Sequence, residues 1–95
     1  MDVVGTWRKT ETPECAGQYP DEIEFREATF LARKGPGQGF IVWDAGGYRV
    51  AGADEIMIET ATDEQVHYRA LLEGDTLTFV DRDGCEFQYR RASTE

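Results

Sequence analysis

Between Gln65 and Arg91 the apolar residues fall on every second position, and the turns between them dictate how three strands must line up. Val66, Tyr68, Ala70 and Leu72 make one row against His67, Arg69 and Leu71. Leu77 and Phe79 make the next, and Cys85, Phe87 and Tyr89 a third, opposed by Glu86, Gln88 and Arg90. A period of two sends one row of a strand to a core and the other to solvent. The turns test this. A two-residue loop of Gly74-Asp75, with glycine first as a type II′ turn requires, sets Ala70 opposite Phe79. The next connection needs an odd number of residues. Arg82-Asp83-Gly84 supplies three, with a glycine suited to the left-handed position of a bulged hairpin, so that Phe79 faces Phe87 and Leu77 faces Tyr89. Facing, register and turn chemistry therefore specify one antiparallel meander.

The rest of the chain extends it. Val3 to Lys9 reads as a first strand with Val3, Gly5 and Trp7 on one face, followed by a loop from Thr10 to Asp21 punctuated by Pro13, Gly17 and Pro20. A loop of that length beside a barrel mouth is suited to act as a lid. Ile23 and Phe25, then Phe30 and Ala32, form two strands around a tight turn at Arg26-Glu27, and Lys34 to Gly39 is a glycine-rich loop. Phe40 to Asp44 and Tyr48 to Ala51 read as a hairpin around Ala45-Gly46-Gly47. A three-residue loop there turns Phe40 and Val42 inward, and a two-residue loop turns Ile41 and Trp43 inward. Ile56, Ile58 and Thr60 complete the inward rows. The predicted fold is all-β, an antiparallel up-and-down meander of eight or nine strands in one domain over residues 1–95, closed into a small barrel because closure removes the exposed edges.

Closure requires the first strand to pair with the last. Arg91 continues the inward row of Cys85, Phe87 and Tyr89 and would emerge beside Trp7, where a guanidinium over an indole contributes about 1 kcal/mol. Gly5-x-Trp7 in the first strand, the meander and an arginine just after it resemble the calycin superfamily, which includes the lipocalins and fatty-acid-binding proteins. The likeness implies a small lipocalin-like barrel. The lipocalin Thr-Asp-Tyr motif, the C-terminal helix and the fatty-acid-binding proteins' helical lid have no counterpart here. Gly5-Thr6-Trp7-Arg8 with Tyr19-Pro20 also resembles the haem-binding nitrobindins, but their glycine run is absent and His67 lies on the outward row, so no cofactor is expected.

Function is less constrained. The inward residues Trp7, Phe25, Phe30, Tyr48, Tyr68, Phe79, Phe87 and Tyr89 would either fill the barrel or line a cavity for a small apolar ligand, with the tyrosine hydroxyls as polar handles. The first expectation is non-enzymatic binding of such a molecule. The alternatives are an interaction or inhibitor-like module with a solid aromatic core, and a small barrel enzyme of isomerase or decarboxylase type. The enzyme would draw on Asp44, Tyr48 or His67, with no nucleophile motif, phosphate loop or metal triad beside them. His67 more simply pairs with Glu59 across the outer face. Asp81-Arg82-Asp83-Gly84 lacks the further ligands of a calcium loop and reads as a turn.

A net charge of -9 opposes nucleic acid and anionic membranes as partners. The chain has no run of 18 apolar residues and no visible signal segment, so a cytoplasmic monomer or homodimer is expected. Strand closure would bring Cys15 toward Cys85, which allows a disulfide. In a reducing cytoplasm the simpler expectation is two free thiols, Cys85 acting as a small buried hydrophobe.

Overall fold

Eight strands follow one another in space in the order they follow in sequence, and the last returns to the first. They are β1 (Gly5–Lys9), β2 (Glu22–Phe25), β3 (Thr29–Arg33), β4 (Ala45–Gly52), β5 (Glu55–Glu59), β6 (Gln65–Glu73), β7 (Thr76–Val80) and β8 (Glu86–Arg91). The ladder is antiparallel throughout and closes into a barrel. The computed structural model describes residues 1–10 and 13–92.

The meander has the register its turns demand. Ala70 pairs with Phe79 and Leu72 with Leu77 across β6 and β7, and Phe79 pairs with Phe87 and Leu77 with Tyr89 across β7 and β8. Gly74 takes φ +60° and Gly84 φ +86°, the left-handed conformations that side-chain-bearing residues resist. Asp81 finishes the second turn: its Oδ1 accepts the backbone N–H groups of Asp83 and Cys85, both at 2.9 Å. Asp63, at φ 63°, performs the glycine's role in the β5–β6 connection, as a short polar residue can.

The seam between β1 and β8 pairs Trp7 with Arg91, Arg8 with Arg90 and Lys9 with Tyr89. The Arg91 guanidinium carbon lies 4.3 Å from the centre of the Trp7 ring, and its Nη1 donates to the Val4 carbonyl at 2.8 Å. Gly5 explains how the guanidinium fits. At φ +137° its backbone turns aside, and a Cβ there would stand 2.7 Å from Arg91 Nη1. Gly5→Ala should therefore cost about 1–3 kcal/mol of backbone strain and displaced guanidinium. Urea denaturation followed by tryptophan fluorescence measures this, and a variant as stable as the parent would refute the account.

Two local expectations are corrected. Phe40 to Asp44 is not a strand, and Ala45-Gly46-Gly47 is not a turn but the start of β4. The glycines are needed there for space. The Glu59 side chain lies against both, within 3.2 Å of where a Cβ would be, and its Oε1 accepts the Gly47 N–H at 2.8 Å. That engagement also explains the second correction. His67 stands opposite Met57 and meets Glu55, not Glu59, through its Nδ1. Both glutamates are diagonal neighbours of His67, and Glu59 is turned toward β4.

Candidate functional site

In an up-and-down barrel alternate connections share an end, so the β1–β2, β3–β4, β5–β6 and β7–β8 connections meet at one mouth. Four devices gather them. Lys9 ends β1 with a side chain only 1% exposed, and its ammonium donates to the Ala16 and Tyr19 carbonyls at 2.9 and 2.8 Å while facing Asp21 Oδ1 at 3.3 Å. Buried cations survive only when so surrounded. The Gln38 amide uses both ends: Nε2 donates to the Gly17 and Tyr19 carbonyls, and Oε1 accepts the Asp21 and Gly35 N–H groups. Cys15, in the short helical turn Glu14–Ala16, is joined to Cys85 by a disulfide. The expectation of two free thiols is thereby overturned. Tyr19 reaches across to donate its hydroxyl to Asp81 Oδ2 at 2.8 Å.

Seven of the eight inward aromatics pack in two groups, Phe25 with Phe30 and Tyr48, and Tyr68, Phe79, Phe87 and Tyr89 with Tyr19 and Trp43 from the mouth. Trp7, Phe25, Phe30, Phe79, Phe87 and Tyr89 are at most 3% exposed, and Tyr48 and Tyr68 are 9% and 4% exposed. Tyr19 stacks on Phe87 with ring centres 4.1 Å apart, and Trp43 meets the edges of Tyr19, Tyr68 and Phe79, each at 5.0 Å. Edge and stacked contacts at these separations fill a lumen. Tyr89 donates to the Pro20 carbonyl at 2.6 Å and Tyr48 to the Arg26 carbonyl. These two hydroxyls are satisfied inside the protein.

Tyr68 differs, because it borders a cleft of about 180 Å³ at the mouth. Tyr19, Val42, Thr60 and Asp81 also wall this cleft, with Arg82 at its exposed lip. Burial raises the Tyr68 pKa, and the neighbouring Trp43 N–H and Tyr19 hydroxyl pull the other way. Burial, then the bond to Asp81, lifts Tyr19 far above its ordinary value, so both phenols stay protonated donors. Behind them the Trp43 Nε1 donor is fully buried; the Tyr68 hydroxyl is close enough to feel it, but no acceptor meets it in full hydrogen-bond geometry. Its counterpart in Trp7 donates to the Val3 carbonyl at 2.8 Å.

The acid–base candidates do not converge. Asp44 is exposed, with its Oδ1 accepting the Ala45 N–H. His67 is on the outer wall, and Tyr48 faces the opposite end of the barrel. Among the described residues no three His, Cys, Asp or Glu side chains group to hold a metal ion. Sequence reasoning missed Tyr19, Lys9 and Gln38 as organisers of the mouth. It left Trp43 undecided, although the alternation of Ile41 and Trp43 is the signal for their burial at 5% and 0% exposure. No protein-family model matches this chain, and no curated protein or solved structure matches it.

Proposed function

We propose that this protein is a non-enzymatic binding barrel that takes a small molecule at its mouth, in the cleft between Tyr19, Tyr68 and Asp81, with its lumen solid. The observation that carries this reading is the Trp43 indole N–H, fully buried behind the Tyr68 wall with the Tyr68 hydroxyl near it but out of full hydrogen-bond geometry. Such a donor costs about 1–3 kcal/mol. A ligand oxygen that accepts from the Tyr68 hydroxyl would hold its proton away from Trp43, and a small shift of that phenol oxygen would then complete the indole's bond. Small ligands bearing a carbonyl or ether oxygen fit a cleft of this size, whose walls mix Val42 and the two phenols with polar side chains.

The two tryptophans make the test internal. Titration with a series of small phenols, amides and ketones should move the Trp43 indole N–H resonance and leave the Trp7 resonance in place. Tyr68→Phe should abolish the shift. If the Trp43 resonance is unmoved by every probe, the reading fails.

The closed barrel, Gly5-x-Trp7 and Arg91 over the indole support kinship with the calycin superfamily. The disulfide supports residence in an oxidising compartment in place of the cytoplasm. A second reading, the interaction module with a solid core, is favoured by Phe40. It is 64% exposed, between the pinned Gln38 and the buried Ile41, and an exposed aromatic is the kind of side chain that anchors interfaces.

A further inference from the structure

The end opposite the mouth has an incomplete seam. β3 and β4 pair over only three positions, Thr29 with Gly47, Phe30 with Gly46 and Leu31 with Ala45, although β4 runs for eight residues. The Tyr48 N–H makes one more bond across, to the Ala28 carbonyl at 3.2 Å. Beyond it β4 pairs only with β5. In an antiparallel ladder both main-chain polar groups of a residue point to one side, and successive residues alternate. Tyr48 points toward β3, so Arg49 points toward its partner Met57, and Val50 points back toward a seam with no β3 residue opposite.

A shallow cleft of about 440 Å³ lies at the gap. Its far wall is the segment Met1 to Val4, which is not in the ladder but is held in place. The Val3 carbonyl accepts from the Trp7 indole and the Val4 carbonyl from Arg91. Val4 is 50% exposed and Met1 38% exposed, and both line the cleft together with Val3 and Val50. The Asp2 and Glu27 carboxylates border it, and Arg49 also stands among its walls. Their joint field reaches the Tyr48 hydroxyl, whose pKa is raised first by burial and then by Asp2 and Glu27.

We propose that the free edge of β4 at Val50, facing Met1 to Val4, is a strand-addition site for an extended segment of another protein that carries lysine or arginine between apolar residues. Main-chain bonds to Val50 supply the ladder, the exposed Met1 and Val4 supply apolar contact, and Asp2 and Glu27 favour the basic side chain. A second copy of this chain is the wrong occupant on charge, since each copy brings a net -9. The site is at the opposite end from the small-molecule cleft and does not depend on it.

The experiment titrates the whole protein with an end-capped peptide of alternating lysine and valine, read by the Val50 amide resonance and its hydrogen exchange. Binding should slow Val50 exchange by about tenfold or more, and the same peptide N-methylated on alternate residues should bind about tenfold more weakly, the equivalent of one lost main-chain bond. A glutamate-for-lysine peptide should not bind, and Glu27→Gln should weaken the lysine peptide by about threefold, as one partly screened charge pair would. Equal binding of the N-methylated peptide would reduce the effect to general charge attraction and overturn the proposal. Binding of the glutamate peptide, or no protection of Val50, would overturn it as well. Concentration-dependent protection of Val50 in the protein alone would assign the edge to a second copy and also overturn it.

Discussion

Reducing the Cys15–Cys85 disulfide should lower the stability of this protein by about 4 kcal/mol. The bond spans a sequence separation of 70, and the chain entropy released when a loop of that length is opened in the unfolded state amounts to about 4 kcal/mol. For a domain of this size such a loss lowers the melting temperature by roughly 15–30 °C. Urea denaturation with and without a dithiol reductant measures it, and the Cys15→Ser, Cys85→Ser double variant should match the reduced protein. The effect concentrates at the mouth. Cys85 also carries an N–H bonded to Asp81, which holds the Tyr19 hydroxyl, so the covalent link and the cleft wall share one carboxylate. A loss of less than about 1 kcal/mol would mean that the covering segment comes free in the reduced folded chain, or that the reduced unfolded chain stays compact.

The second large effect is alkaline unfolding. Tyr19, Tyr48, Tyr68 and Tyr89 are all raised above the ordinary tyrosine value of 10.0, in every case first by burial, with Tyr89 also facing Asp21. A folded-state pKa above the unfolded one means that the folded chain holds its proton more tightly. The resulting stability is complete below about pH 10 and is lost as the pH rises, because only the unfolded state ionises freely. Each tyrosine contributes a slope of up to about 1.4 kcal/mol per pH unit over the range in which its unfolded form ionises and its folded form does not, and the four act in the same direction. Tyrosinate absorbance and β-sheet circular dichroism should change together in one steep transition. Gradual titration near pH 10 with the fold intact would show that these phenols reach water.

The difference between what was legible and what was not follows the range of the interactions involved. Alternation along β6, β7 and β8 and the residues Gly74 and Gly84 are local facts, and each is a consequence of backbone geometry a few residues long. They sufficed for register, facing and closure. Ala45-Gly46-Gly47 misled because glycine marks both a turn and a place where another group comes close. The group in question, the Glu59 carboxylate, arrives from a strand twelve residues away. The candidate site was still less legible. The lid was visible as a loop, but nothing along residues 10–21 states that Tyr19 will stack on Phe87 or that Lys9 will bury its ammonium under it.

By itself the sequence determined the strand pattern, the paired turns and the meeting of Trp7 with Arg91, since period-two burial and turn stereochemistry are written into neighbouring residues. Only the tertiary structure decided that Trp43 and Tyr19 fill the lumen, that Cys15 bonds Cys85, and that β4 outruns β3 and leaves Val50 at an open edge. Those outcomes depend on volume and distance between segments far apart in the chain, and such quantities come into being only when the barrel closes.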